Sequence, residues 1–444
     1  MAELQKKLTT SGLAMIAIGA CIGSGIFITP ANTIAELPHY GLALVPWILG
    51  GVATYFGALS FAELSVRYPQ AGGVYVYLKE AYGPLWGFLY GWVTFFIINT
   101  GALAGLSMAF ADFLSFFFDI SSHEKTVVAI ATIVLLTLIN SLGVGLSQQF
   151  SRLFSSLKLF SLGLLILFGL YLLFGAKSTH FQDGWGLDIP AGWLGGILIS
   201  FVGVFWSFGG WHHITYLSGE AIDPARSVPK GMLYGTVVVT SVYILVILAY
   251  MVMIPMDQII SSSRVAGDAL AAWFPAGGQI VALAITVSVF GTIGIYTMSA
   301  PRIYFAMAKD GLFFQSLARI HPRFRTPHLA MWSQAIWACL LLIFYGSFIK
   351  IITFVTFMDI VFMALACGSL FVFRRRSGAG AELSYKTPGY PWIPGIYLLI
   401  TVAFVFYALF LLNAEALMGV AILIFGIPVF FWYRRRSQNV DRID

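Results

Sequence analysis

Runs of about twenty apolar residues recur along the whole of this chain, and each is long enough to cross the hydrocarbon of a bilayer as a helix. In lipid every backbone N–H and C=O must be paired internally, so a chain built this way folds as a set of membrane helices. Its 444 residues are 59% hydrophobic and 10% charged, against roughly 25% charged in an average soluble protein. A soluble fold would lack the polar surface to stay in solution, so the fold class expected is an all-α membrane protein. The first run follows Lys6 and Lys7, exceeds a signal-peptide core in length and has no cleavage site, so no cleaved leader is expected. A pI near 9.1 is compatible with nucleic-acid binding. The basic residues instead sit in short clusters between apolar runs, which is the membrane pattern. Cys21, Cys339 and Cys367 all lie inside apolar runs, and none is placed for an extracellular disulfide.

Apolar runs and turn signals together predict twelve spans, at roughly 10–35, 41–66, 84–113, 125–145, 152–174, 194–218, 230–254, 276–305, 328–348, 350–373, 391–412 and 416–433. Placing both termini in the cytoplasm puts 20 of the 25 Lys and Arg residues on the cytoplasmic side. Lys125, Lys177, Arg264 and Lys350 fall on the other side, and Lys158 lies inside a span. One missing helix would scramble that bias. The protein is therefore expected in a cell membrane, as a multi-pass protein of bacterial inner-membrane type.

Two glycine clusters interrupt these spans. The first span contains Gly19-Ala20-Cys21-Ile22-Gly23-Ser24-Gly25-Ile26-Phe27, followed by Pro30. The sixth contains Trp206-Ser207-Phe208-Gly209-Gly210-Trp211. Glycine weakens a helix by about 1 kcal/mol relative to alanine. Unwound backbone at membrane depth persists only where it lines a cavity or binds something. A broken helix offers free N–H groups at one half-helix start, which attract a carboxylate, and free C=O groups at the other half-helix end, which attract an ammonium. Two such breaks can hold a zwitterionic amino acid without a charged side chain. Because they occupy the first and sixth spans, they are equivalent positions in two sets of five, as an inverted repeat requires. Ordinary glycine-mediated helix packing is the competing explanation for either cluster alone.

At these residues the chain resembles the amino acid–polyamine–organocation transporters, especially the branch of bacterial amino acid permeases and L-type amino acid transporters. The resemblance rests on an ordered set of landmarks. Gly19 through Phe27 matches the helix-one signature. Phe61-Ala62-Glu63-Leu64-Ser65 and Tyr68-Pro69-Gln70-Ala71-Gly72-Gly73-Val74-Tyr75 follow, then Gly219-Glu220, Asp223-Pro224-Ala225-Arg226 and Val228-Pro229-Lys230. Pro301-Arg302-Ile303-Tyr304, Ala308-Lys309-Asp310-Gly311, His321-Pro322 and Gly389-Tyr390-Pro391-Trp392 complete it.

The resemblance implies a LeuT-like fold of twelve transmembrane helices. In it, a 5+5 inverted repeat with discontinuous helices 1 and 6 is followed by two C-terminal helices. The implied division is 1–175, 176–376 and 377–444, with alternating access around a substrate held between helices one and six. It also implies that the substrate carboxylate meets amides at Ser24 and Gly25, with Gly23 adjacent and Cys21 beside them. The amine would then meet carbonyls near Trp206, Ser207 and Gly209, with Trp206 as an aromatic gate. Close relatives often carry Phe at that gate. Many L-type relatives carry Asn where this chain has His212 and His213, and the eighth span, Phe290-Gly291-Thr292-Ile293-Gly294, lacks the relatives' Asn. Lys158 stands where sodium sits in sodium-coupled cousins, bonding the unwound part of helix one near Gly19 and Ala20, with Ser288 as a further partner. The competing reading of Lys158 is a lysine snorkelling to cytoplasmic headgroups.

Asp359 lies mid-span, where a lone ionised carboxylate is costly, so it is expected to be paired, hydrated or protonated. It either carries a proton or acts as a neutral hydrogen-bonding group. Glu63 and Glu220 lie at cytoplasmic span ends and suit an inner gate or helix caps. No His/Cys cluster has metal-ligand spacing, and neither HExxH nor a Gly-x-Ser-x-Gly elbow occurs, which leaves an intramembrane enzyme without machinery. A channel would need a selectivity filter, and usually a symmetric oligomer. The expected activity is therefore sodium-independent exchange or uniport of neutral L-amino acids, with no cofactor. Neutral substrates follow because neither broken helix holds an acidic residue and no positive cluster accompanies Lys158. A proton symporter using Asp359 is the alternative. The loop Phe118-Asp119-Ile120-Ser121-Ser122-His123-Glu124-Lys125 has no cysteine for the disulfide-linked heavy chain of mammalian L-type relatives, so a monomer is expected.

Overall fold

The computed structural model describes residues 3–175, 180–181, 185, 192–344, 348–377, 383–411 and 413–440. Lys177, the 345–347 link between the ninth and tenth spans, and Arg442 lie outside them. In chain order the helices are α1 (Thr10–Cys21), α2 (Gly25–Ala35), α3 (Tyr40–Arg67), α4 (Val74–Tyr82), α5 (Pro84–Val93), α6 (Asn99–Leu114), α7 (Ser122–Ser141) and α8 (Val144–Phe174). They continue as α9 (Trp193–Phe208), α10 (His213–Tyr216), α11 (Pro224–Met253), α12 (Met256–Ser261), α13 (Val265–Ala271), α14 (Gly277–Ser299), α15 (Pro301–Lys309), α16 (His328–Phe344), α17 (Phe348–Ser377), α18 (Trp392–Leu411) and α19 (Asn413–Val440).

Among the described residues the regular structure is helical. The one β-type pairing is an isolated bridge between Leu8 and Ala221. Among the described residues, eight helical stretches are long and apolar enough to cross a bilayer, and α1 with α2 makes a ninth that bends by 46°. α9 and α16 are shorter apolar helices. α1 packs against α8, α11 and α14, so the first break is enclosed on several sides. The outward faces of α7, α8 and α18 expose Leu138, Phe160, Leu167, Leu399 and Phe406, as suits contact with lipid tails.

Some helices overrun the apolar stretches that announce them. α8 starts at Val144, where the apolar run suggests 152. Its extra turns carry Ser147, Gln148 and Ser151, which are buried. Gln148 Oε1 accepts the Thr9 N–H at 3.1 Å, and Ser155 Oγ donates to Met15 O at 2.8 Å. Polar groups satisfied by the backbone around helix α1 do not end a helix. Lys158 therefore lies fourteen residues into α8, about 21 Å along the helix from its start at 1.5 Å per residue. α11 likewise begins at Pro224, where a missing N–H costs nothing in the first turn.

Candidate functional site

The first break covers Ile22, Gly23 and Ser24. Ser24 is fully buried, makes no side-chain cap bond, and its Oγ has no hydrogen-bond partner. Phe27 and Ile28 donate to Ser24 O, while the N–H groups of Gly25 and Ile26 open α2 with no preceding turn to accept them. That is the electropositive end of a half-helix. The second break follows Phe208. Gly209 N–H donates back to Trp206 O at 3.2 Å, and Gly210 takes φ +103°, a conformation that glycine adopts without strain.

The two breaks touch each other. A Cβ on Gly25 would lie 2.8 Å from Ser207 Cα, and a Cβ on Gly210 would lie 2.9 Å from the Ala20 backbone, so glycine at both positions permits the approach. Cys21 Sγ donates to Phe208 O at 3.3 Å, and Thr29 Oγ1 lies 3.0 Å from Ser207 Oγ. Tyr243 on α11 reaches between them. Its hydroxyl lies 2.8 Å from both Cys21 O and Ser207 O, the carbonyls at the ends of α1 and α9. Nothing local in the sequence singles out Tyr243. Of the carbonyls near Trp206, Ser207 and Gly209, those of Trp206 and Ser207 already accept one bond, and each keeps a second lone pair.

Lys158 is 1% exposed, which rules out snorkelling. Its Nζ donates to Gly19 O at 2.8 Å, Ile22 O at 2.7 Å and Thr292 Oγ1 at 2.6 Å. The second carbonyl is that of Ile22, not Ala20, because the helix ends there and Ile22 O has no following turn to serve. Ser288 Oγ does not meet the lysine. It bonds Ile22 O at 3.2 Å, and Thr292, one turn further along α14, takes the ammonium instead. Thr292 stands in the segment that departs from the family pattern, which is the one signal the sequence offers for it.

Beside the second break lies a small cavity whose walls include Trp206, Gly209, His212, Tyr296, Thr356 and Asp359. His212 and Asp359 also wall a neighbouring cavity. Asp359 Oδ1 is 3.7 Å from His212 Nε2, too long for a hydrogen bond. Asp359 Oδ1, His212 Nδ1 and Thr356 Oγ1 are all buried without hydrogen-bond partners. His213 also lines the cavity, but its Nδ1 is engaged, 2.6 Å from Ser299 Oγ, and its ring sits 4.2 Å from that of Tyr296. The spacing of His212 and Asp359 in the chain gives no hint of their meeting, which joins the sixth span to the tenth.

At the end of the bundle carrying Glu63 and Glu220, the charges are matched. Arg302 and Glu220 are both fully buried, with Arg302 Nε 2.6 Å from Glu220 Oε1, and Arg302 Nη1 also donates to Met298 O. Glu63 accepts from Arg67, from Arg374 at 2.6 Å and from the Thr387 N–H at 2.8 Å. Lys7 and Leu8 N–H both donate to Glu220 O, which ties the N-terminal segment to the same cluster. Asp310 accepts from Tyr75 at 2.6 Å and Lys79 at 2.8 Å. Burial disfavours the Lys79 ammonium, but the Asp310 carboxylate outweighs it and raises the Lys79 pKa above the usual lysine value. No group of His, Cys, Asp and Glu able to hold a metal occurs among the described residues.

A model of the amino acid permease family matches residues 8–432. The chain is 30% identical to the serine/threonine exchanger SteT of Bacillus subtilis (strain 168), over 98% of each chain. It is 30% identical to Asc-type amino acid transporter 1 of Mus musculus, over 99% of this chain and 84% of that one. It is 27% identical to the large neutral amino acids transporter small subunit 2 of Rattus norvegicus, over 96% and 80% respectively.

Proposed function

The chain belongs to the amino acid permease family of the amino acid–polyamine–organocation superfamily, an integral membrane transporter of amino acids and not an enzyme, and we propose that it carries neutral L-amino acids by sodium-independent exchange or uniport. The observation that carries this reading is the meeting of two broken helices. The open N–H groups at Ser24 and Gly25 suit a carboxylate, and the carbonyls of Trp206, Ser207 and Gly209 suit an ammonium. Gly23 and Cys21 flank the carboxylate side, with the Gly23 N–H donating to Cys21 O and the Cys21 thiol to Phe208 O, and Trp206 closes over the bound molecule. The names of relatives, a serine/threonine exchanger and a large neutral amino acid transporter subunit, agree with a neutral substrate.

Sodium independence rests on Lys158. Its ammonium already meets two carbonyls at the end of α1, leaving no need there for a metal cation. Twelve spans in a 5+5 inverted repeat, with breaks at equivalent positions one and six, fit the helices and the 46° bend. The Lys and Arg bias supports cytoplasmic termini, as in a bacterial inner membrane. No cysteine in residues 118–125 suggests a disulfide-linked partner, and a monomer fits.

The test is a competition panel on the full chain in proteoliposomes. Serine, alanine or leucine should compete, and arginine and glutamate should not. Strong uptake of arginine or glutamate with none of the neutral three would sink the reading. The proximity of His212 to Asp359 favours one second reading, proton symport. Uptake that rises severalfold under an inward proton gradient, and no longer responds to it in Asp359→Asn, would establish it.

A further inference from the structure

Three residues that line the cavity beside Gly209 each carry a buried polar atom without a hydrogen-bond partner: His212 Nδ1, Thr356 Oγ1 and Asp359 Oδ1. His212 is 3% and Thr356 4% exposed, so water does not solvate them freely. An unpaired polar atom in such a place forfeits its hydration without return, and three on one cavity need a reason. Other buried polar groups lack partners singly, as Ser24 Oγ and Thr240 Oγ1 do, whereas here three fall on the walls of one cavity. The cavity adjoins the end of α9, where the proposed ammonium site lies, and its walls also include the apolar residues Ile98, Ala102 and Val355.

We infer that His212, Thr356 and Asp359 form a subsite for a substrate side chain bearing a neutral hydrogen-bonding group, a hydroxyl or carboxamide. The chain therefore prefers polar neutral amino acids to aliphatic ones of the same shape. This inference rests on the amino acid transport reading above. The carboxyl oxygen accepts from the side chain, the Thr356 hydroxyl donates or accepts, and the imidazole takes the complementary role by choice of tautomer. A hydroxyl or carboxamide has both donor and acceptor capacity and can meet all three. A methyl group in the same place leaves three polar atoms unpaired, which is the asymmetry that lets a hydrogen-bonding site reject an apolar isostere.

The discriminating pair is threonine and valine, which differ by a hydroxyl in place of a methyl. Initial uptake of each, labelled, is measured in proteoliposomes with lysine as a third arm. Threonine should exceed valine at least tenfold in kcat/KM. Thr356→Val and Asp359→Leu should each bring that ratio to within about threefold of one. Thr356→Ser and Asp359→Asn keep an oxygen at each place and should retain most of it. Elution as a single species and an unchanged melting temperature identify the variants that are folded. If any fails to fold, the wild-type ratio still decides. Equal handling of threonine and valine by the wild type overturns the subsite and leaves neutral amino acid transport standing. So does a Thr356→Val that slows both substrates by the same factor. Uptake of lysine with neither neutral substrate overturns the subsite and the neutral reading together, and makes Asp359 a cation partner.

Discussion

Glu220 and Asp359 are both buried carboxylates of this bundle, but Glu220 is held by the Arg302 guanidinium at 2.6 Å and 3.2 Å, whereas Asp359 has only a histidine at 3.7 Å and one oxygen without a hydrogen bond. The same contrast holds around each. Glu63 has two arginines and a backbone amide, while the cavity beside Gly209 has three polar atoms waiting. A saturated network fixes a shape, since any other arrangement loses bonds. An unsaturated one has capacity for something that arrives and leaves. We propose on this contrast that the Glu220 end serves as a latch and the Asp359 side of the cavity as a place for cargo.

The largest effect should come from breaking the latch. Arg302→Met leaves Glu220 charged and unpaired, which costs about 3–5 kcal/mol. Melting of the detergent-solubilised protein should fall by many degrees. The double change Arg302→Met with Glu220→Leu should recover most of the loss, because an apolar pair replaces the ion pair. Asp359→Asn should shift melting by no more than about 1 kcal/mol. If Asp359→Asn melts as low as Arg302→Met, the contrast between the two carboxylates is wrong.

Lys158 sharpens the comparison, because it is saturated yet sits at the site. It holds the end of α1 through Gly19 O and Ile22 O, so it belongs to the shape of the site rather than to its vacancy. Lys158→Ala loses bonds to a charged donor, each worth about 1.5–3 kcal/mol. Uptake should fall at least tenfold, and wild-type uptake should be intact in sodium-free choline buffer. Wild-type uptake that collapses without sodium would refute the idea that the ammonium stands in for a metal cation. An unimpaired Lys158→Ala would show that the bonds to α1 are dispensable for transport.

The breaks were legible because glycine clusters are local and costly: Gly23, Gly25, Gly209 and Gly210 interrupt otherwise strong apolar runs. Lys158 was legible because a charge in such a run demands partners, and Gly19 was foreseeable as one. The partners that come from other helices were not. Thr292 reaches Lys158 from α14, Tyr243 reaches the first break from α11, and Asp359 meets His212 from α17, each across more than a hundred residues. Neither broken helix carries an acidic residue, which points to neutral substrates, but the fold brings the Asp359 carboxyl from α17 to the second break. Helix starts at Val144 and Pro224 were hidden because their polar residues are satisfied by neighbouring elements, which no apolar pattern records.

The smallest effect tests the link between the two breaks. The Tyr243 ring is packed edge-on against Trp47 and Phe208, with centroids 5.9 Å and 5.0 Å away, so Tyr243→Phe should leave the ring in place and remove only the hydroxyl. That hydroxyl has one proton for two carbonyls, Cys21 O and Ser207 O, each at 2.8 Å, and so holds the ends of α1 and α9 at a fixed separation. Losing one hydrogen bond of this kind costs about 1 kcal/mol, or about fivefold in an equilibrium constant. The cost should appear in KM for the transported amino acid, because the ammonium is proposed to bind among carbonyls whose spacing the hydroxyl sets, while the melting temperature moves little. A Tyr243→Phe that melts several degrees lower with unchanged KM would place the hydroxyl with the latch residues, as part of the scaffold alone. A fivefold rise in KM at constant stability would place it with Lys158, as a group that is itself satisfied and exists to shape the site that is not.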